Sequence, residues 1–78
     1  MENKKEIFEG TVVFFNTKRG YGFIEWEKGG EKQKDIFVHF SDISQTGFKN
    51  LFAKQKVKFS TGLNNNGVVK ATEVEILS

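Results

Sequence analysis

Two aromatic-rich runs, Tyr21–Trp26 and Ile36–Phe40, constrain this chain more than any other feature, and a charged segment from Glu27 to Asp35 with Gly29 and Gly30 separates them. Read as strands, their side chains alternate between two faces. Tyr21, Phe23 and Glu25 then share one face of the first run, with Gly22, Ile24 and Trp26 behind them. In the second run Phe37 and His39 lie on the face of Asp35, and Ile36, Val38 and Phe40 point the other way. Such a pair need bury only its aliphatic side, which leaves an aromatic side free to meet a ligand.

Seventy-eight residues allow one domain with one modest core. Residues 1–5 are polar and read as a flexible N-terminal tail, with the domain spanning 6–78. Without cysteine there is neither a disulfide nor a cysteine-ligated zinc, and the single His argues against any metal site. No apolar run approaches the roughly 20 residues of a membrane span, and the opening Met-Glu-Asn-Lys-Lys-Glu lacks the apolar core of a signal peptide. A cytoplasmic location is expected. Twelve basic against ten acidic residues give a net charge of +2, too small to argue polyanion binding from charge. Nine Phe, one Tyr and one Trp are more telling, because a core this small does not readily hide eleven large rings.

Glu6 to Asn16 is rich in strand formers, and Gly10 together with the unalternating Val13-Phe14-Phe15 predicts a bent strand with a bulge. Periodicity alone leaves the face of Phe14 open. Asn16-Thr17-Lys18-Arg19-Gly20 reads as a turn with Gly20 at positive φ. Ser41-Asp42-Ile43-Ser44 offers a helix cap and at most a turn or two of helix, followed by a loop to about Gln55. Lys56–Ser60 alternates as a half-buried strand, and Asn64-Asn65-Asn66-Gly67 supplies a hairpin. In the last strand Val69 and Ala71 have one parity and Val74 and Ile76 the other, so the register slips by a bulge near Thr72-Glu73. Five short strands, no amphipathic helix and no repeat predict a small all-β, closed or nearly closed antiparallel barrel.

Arg19-Gly20-Tyr21-Gly22-Phe23-Ile24-Glu25-Trp26 fits the first RNP pattern, with Ile for Val and Trp for the last aromatic. Residues i and i+2 of a strand stand about 6.6 Å apart on one face. Tyr21 and Phe23 are therefore spaced to stack separate bases, and Arg19 is placed to reach a phosphate. Ile36-Phe37-Val38-His39-Phe40 looks like the second RNP motif. Together with Gly10-Thr11-Val12, Phe15-Asn16, Asp35, Ser41 and Gly47-Phe48-Lys49, these motifs resemble the cold-shock domain family in order and spacing from Glu9 to Leu77.

The resemblance implies a five-stranded Greek-key barrel of the OB-fold type that binds single-stranded RNA and DNA. It implies a stacking platform from Phe14, Tyr21, Phe23, Phe37, His39, Phe40 and Phe48, with Asn16 and Asp35 contacting bases through polar groups. It also puts Phe14 on the binding side and turns Phe40 towards the ligand, and it gives Trp26 no stacking role. The chain departs from the family at Phe14, where Trp is usual, and at Val13, often Lys. Arg19 replaces Lys with its charge kept, and Gly67-Val68-Val69 replaces a Gly-Pro pair. The same site with weaker affinity or altered base preference is expected.

Ile24, Val38, Val57, Val69 and Val74 are assigned to the core, as are Phe8, Phe15 and Phe59. An enzyme would need Asp35, His39 and Ser41 to cooperate, but four strand residues separate Asp35 from His39 by about 13 Å, beyond hydrogen-bond reach. Gly29-Gly30 lacks the Lys-Ser/Thr of a phosphate-binding loop. In an RRM the second RNP motif precedes the first and helices cover the sheet, the reverse of this order. The rival from another class is a small barrel that docks a protein partner on its aromatic face, as SH3-like domains dock Pro-rich peptides. The expected protein is a non-enzymatic monomer without cofactor, metal or membrane contact, an RNA chaperone that melts RNA structure and so affects transcription and translation.

Overall fold

A computed structural model describes residues 6–44 and 51–77. Among the described residues six strands form: β1 (Phe8–Asn16), β2 (Tyr21–Lys28), β3 (Glu31–Lys32), β4 (Ile36–His39), β5 (Lys56–Leu63) and β6 (Val69–Ile76). Sheet order is β1-β5-β6-β4-β2-β3, and a further β1–β2 pairing closes the ring. Five strands thus make a closed barrel to which the two-residue β3 is appended. The strand pairings are antiparallel except that of β4 with β6, which run parallel and pair at Phe37 and Lys70. Closure leaves the barrel without a free edge and without need of a covering helix.

The barrel is filled by Val12, Ile24, Ile36, Val38, Ile43, Leu51, Val57, Phe59, Ala71 and Val74, each at most 3% exposed. Phe8, Phe15, Trp26 and Ile76 pack around them. The alternation expected for β2 and β4 holds: Gly22, Ile24, Ile36 and Val38 are buried, while Tyr21, Phe23, Phe37 and His39 are half-buried on the outer face. Trp26 caps one end of the core. It meets Phe8 and Phe59 edge-on at 5.0 and 5.5 Å, and its indole N–H donates to the Lys34 carbonyl. Val69 departs from its expected burial and is 47% exposed. It pairs with exposed Leu63 at the hairpin mouth, one residue short of Lys70, where β4 first reaches β6.

Two bulges decide the faces. In β1 the register passes from Val12↔Ile24 to Phe14↔Phe23, so Val13 is the extra residue. The bulge expected of this strand is therefore at Val13 and not at Gly10. Gly10 serves close approach instead, since a Cβ there would lie 2.6 Å from both the Glu25 carbonyl oxygen and Ile24 Cγ2. In β6 the pairing passes from Ser60↔Thr72 to Lys58↔Glu75, and Glu73 takes a left-handed φ of 52°. This is the slip that the parity conflict between Ala71 and Val74 predicts.

Connections follow their turn chemistry. Gly29 and Gly30, at φ 63° and 85°, join Lys28 to its partner Glu31, so part of the expected charged loop is a two-residue hairpin. Asn64 accepts through Oδ1 from the Asn66 and Val68 N–H groups and closes the β5–β6 hairpin. After β4 the chain makes one 3-10 turn, Phe40–Asp42, and runs past β6 through an Ile43–Val74 bridge. Below that turn Lys70 Nζ reaches Asp42 Oδ2 at 3.2 Å, the least exposed ion pair among the described residues.

Candidate nucleic-acid interface

The outer face of β1, β2 and β4 carries one continuous aromatic platform. Tyr21 and Phe23 stand on β2 with ring centroids 6.5 Å apart, close to the spacing expected of alternate strand residues. Phe37 of β4 lies opposite Phe23 in register, 5.9 Å from its ring and 5.9 Å from Tyr21, nearly parallel to the latter at 25°. On the other flank Phe14 of β1 lies 5.8 Å from Phe23 and 6.3 Å from Tyr21. Each ring is braced by its neighbours, so the surface is set before a ligand arrives and little side-chain freedom remains to be lost.

The bulge at Val13 is what brings Phe14 to this face. Strict alternation from buried Val12 would send residue 14 inward; one extra residue turns Phe14 outward and Phe15 inward. Phe15 then lies across from Gly22, where a Cβ would stand 2.9 Å from the Phe15 ring and 2.8 Å from its Cα. Gly22 thus admits Phe15 beneath the platform while its neighbours Tyr21 and Phe23 form the top.

Beyond Tyr21 the platform turns a corner. His39 is paired with Tyr21, and Phe40 follows with its ring 4.7 Å from that of His39 and 46% exposed. Alternation would have buried Phe40. The chain leaves the extended conformation there, however, and the 3-10 turn swings the ring outward. It rests on Gly20, at φ 77°, where a Cβ would meet Phe40 Cδ1 at 2.8 Å, and the Phe40 N–H donates to the Gly20 carbonyl. The Ser41 N–H donates to His39 Nδ1 at 3.3 Å and the Ser41 hydroxyl lies 2.9 Å from it, so the imidazole caps the turn with its orientation fixed. Asp35 precedes β4 and His39 ends it, so the strand keeps apart the two groups that a hydrolytic constellation would need together.

Polar groups frame the rings. Asn16 pairs with Tyr21 across β1 and β2, and its Oδ1 accepts from the Arg19 N–H at 2.9 Å, which holds the side chain against the turn. Arg19 is exposed in the turn beside them, and Asp35 is exposed at the opposite end of β4. Phe48 lies outside the described residues. Glu25 continues the Tyr21–Phe23 row and is ion-paired with Lys32 at 3.7 Å. Sequence reading gave no role to Phe52, which is 62% exposed in the turn before β5. Its signal was an apolar ring directly after Leu51 in a segment otherwise polar. No cluster of His, Asp and Glu suited to a metal ion occurs among the described residues, and no helix there is long and apolar enough to cross a membrane.

Residues 8–77 match the family described as the 'Cold-shock' DNA-binding domain. The chain belongs to that family. This cold-shock domain is 47% identical over 68 residues to a cold shock-like protein CspA of Bordetella pertussis, covering 87% of the chain and 96% of that relative. It is 46% identical over 63 residues to cold shock protein CspC of Bacillus subtilis, covering 81% and 89% respectively. Cold shock domain-containing protein 4 of Arabidopsis thaliana is 44% identical over 66 residues, which cover 85% of this chain and 31% of the larger plant protein. Membership makes the chain a nucleic-acid-binding protein of cold-shock type, and the barrel places the family's two RNP-like motifs side by side on β2 and β4.

Proposed function

We propose that this cold-shock domain binds single-stranded RNA and DNA by stacking successive bases on Phe14, Tyr21, Phe23, Phe37, His39 and Phe40, with Phe48 as a further stacking ring, and acts as an RNA chaperone. Asn16 and Asp35 meet base edges and Arg19 a phosphate. The observation that carries this reading is the contiguity of Phe14, Phe23, Tyr21 and Phe37 on the outer sheet face, with neighbouring centroids 5.8 to 6.5 Å apart. A duplex hides its base faces, so such a platform selects strands whose bases are already unpaired.

Magnitudes favour stacking over charge. Each stacked base contributes about 1–3 kcal/mol, so three or four supply about 3–12 kcal/mol before association costs. Micromolar affinity requires about 8 kcal/mol. A net charge of +2 need not carry the binding.

A protein that binds the open strand and not the hairpin draws the equilibrium towards the open form by mass action, without ATP. From that follow the melting of RNA structure and its effects on transcription and translation. The domain works as a monomer in the cytoplasm, and residues 1–5, the expected tail, lie outside the described residues. A hairpin RNA labelled at both ends tests the chaperone step by energy transfer. Opening should rise with protein concentration and saturate without nucleotide triphosphate; an unchanged hairpin at concentrations that saturate an unstructured strand of the same sequence would reject it.

A further inference from the structure

Phe52 is the most exposed aromatic ring among the described residues, and its backbone is tightly held. The Gln55 N–H donates to the Phe52 carbonyl at 3.1 Å, and the Phe52 N–H donates to Gln55 Oε1 at 2.9 Å. Preceding Leu51 is 2% exposed and anchors the turn in the core. The Val12 N–H donates to the Gln55 carbonyl and the Lys54 N–H to the Val12 carbonyl, at 2.9 and 2.7 Å, which fastens the turn along β1. An apolar ring in water, on a backbone with so little freedom, calls for a partner.

Its place indicates which one. Across the surface the order is β4 with Phe37, β2 with Phe23, β1 with Phe14, and then the turn that carries Phe52. Val13, 41% exposed, stands beside Phe14 on the strand to which that turn is fastened. The segment from Leu51 to Val57 holds Lys54 and Lys56, both exposed, and no carboxylate, which suits a phosphate backbone continuing past β1. Resting on the single-strand reading above, we propose that Phe52 is an additional stacking position for the same strand, beyond Phe14, which lengthens the site across the outer edge of β1.

The test is a length series. Oligothymidylates of about four to nine nucleotides, within the range of sites on such barrels, are titrated against the wild-type chain, Phe52→Ala and Phe52→Trp, each shown to be folded by circular dichroism. The shortest strands should bind wild type and Phe52→Ala alike. Beyond a threshold length the wild type should gain about fivefold or more in affinity, absent in Phe52→Ala and restored in Phe52→Trp. Identical curves for wild type and Phe52→Ala at every length would overturn the proposal. So would an equal loss at every length, which would make Phe52 a support of the platform rather than an extension of it. A wild type that binds no strand of any length would remove the single-strand reading itself.

Discussion

Phe14 faces Phe23 across β1 and β2 with their rings 5.8 Å apart, and it does so because Val13 is an extra residue in β1. One unpaired residue converts a buried parity into an exposed one and supplies the ring on the platform's β1 flank. Deleting Val13 should therefore regularise β1 without moving the rings, leaving Phe14 outward opposite Phe23 and Phe15 inward opposite Gly22. A pyrimidine-rich strand titrated against the folded deletion variant should still bind, and a loss as large as that of Phe14→Ala would contradict the role given to the bulge.

Phe14 offers a smaller face than an indole would. Phe14→Trp should tighten binding of a pyrimidine-rich strand, and Phe14→Ala should weaken it by about 1–3 kcal/mol. Both effects should come without change in the unfolding temperature beyond a few degrees, because the ring is 42% exposed. Isothermal titration calorimetry reads the affinities directly.

Gly22 is the complement of Phe15. A Cβ at this position would come within 2.8 Å of Phe15 Cα and would run into the Phe14 carbonyl, and neither backbone atom can yield without opening the β1–β2 ladder. Gly22→Ala should cost roughly 1–3 kcal/mol or more. Gly29→Ala tests the opposite case, with open space around the added methyl but φ at 63°. Its cost should be about 1 kcal/mol from backbone strain alone.

Lys54 takes a left-handed φ of 73° in the turn that presents Phe52. Replacing it with Gly removes the strain at some cost in unfolded-chain entropy, for a net gain of about 0.5–1 kcal/mol. Thermal unfolding should show a higher midpoint for Lys54→Gly, while binding of short strands stays as it was.

Binding that rests on stacking should respond weakly to salt. With Arg19 and one or two lysines at phosphates, the slope of log affinity against log salt should be about −1.4 to −2.1, from the relation of roughly −0.7 per phosphate for single strands. A slope several times steeper would shift the account from rings to charge.

Much of this was legible in the chain. Alternation alone assigned Tyr21, Phe23, Phe37 and His39 to one face and Ile24, Ile36 and Val38 to the other, because β2 and β4 are regular where they pair. The β6 bulge was legible too, since Val69 and Ala71 conflict in parity with Val74 and Ile76. What escaped periodicity is irregular backbone. The broken alternation of Val13-Phe14-Phe15 signalled a bulge without saying which residue is extra, so the face of Phe14 stayed open, and Phe40 changes face through a single 3-10 turn. Gly10 looked like the bulge because glycine serves both bulges and close approaches, and only the neighbouring Glu25 carbonyl and Ile24 methyl tell which. Val69 looked like core because parity does not say where a strand runs off the barrel.

The central claim is that bases stack on the β1–β2–β4 face, and Phe37 touches both Tyr21 and Phe23 in the middle of it. Fluorescence anisotropy of a labelled pyrimidine-rich heptanucleotide, titrated with the wild type and with Phe37→Ala shown to be folded by circular dichroism, tests it most directly. The account predicts that the wild type binds and that the folded variant loses about 1–3 kcal/mol. A folded Phe37→Ala that binds as tightly as the wild type would contradict it.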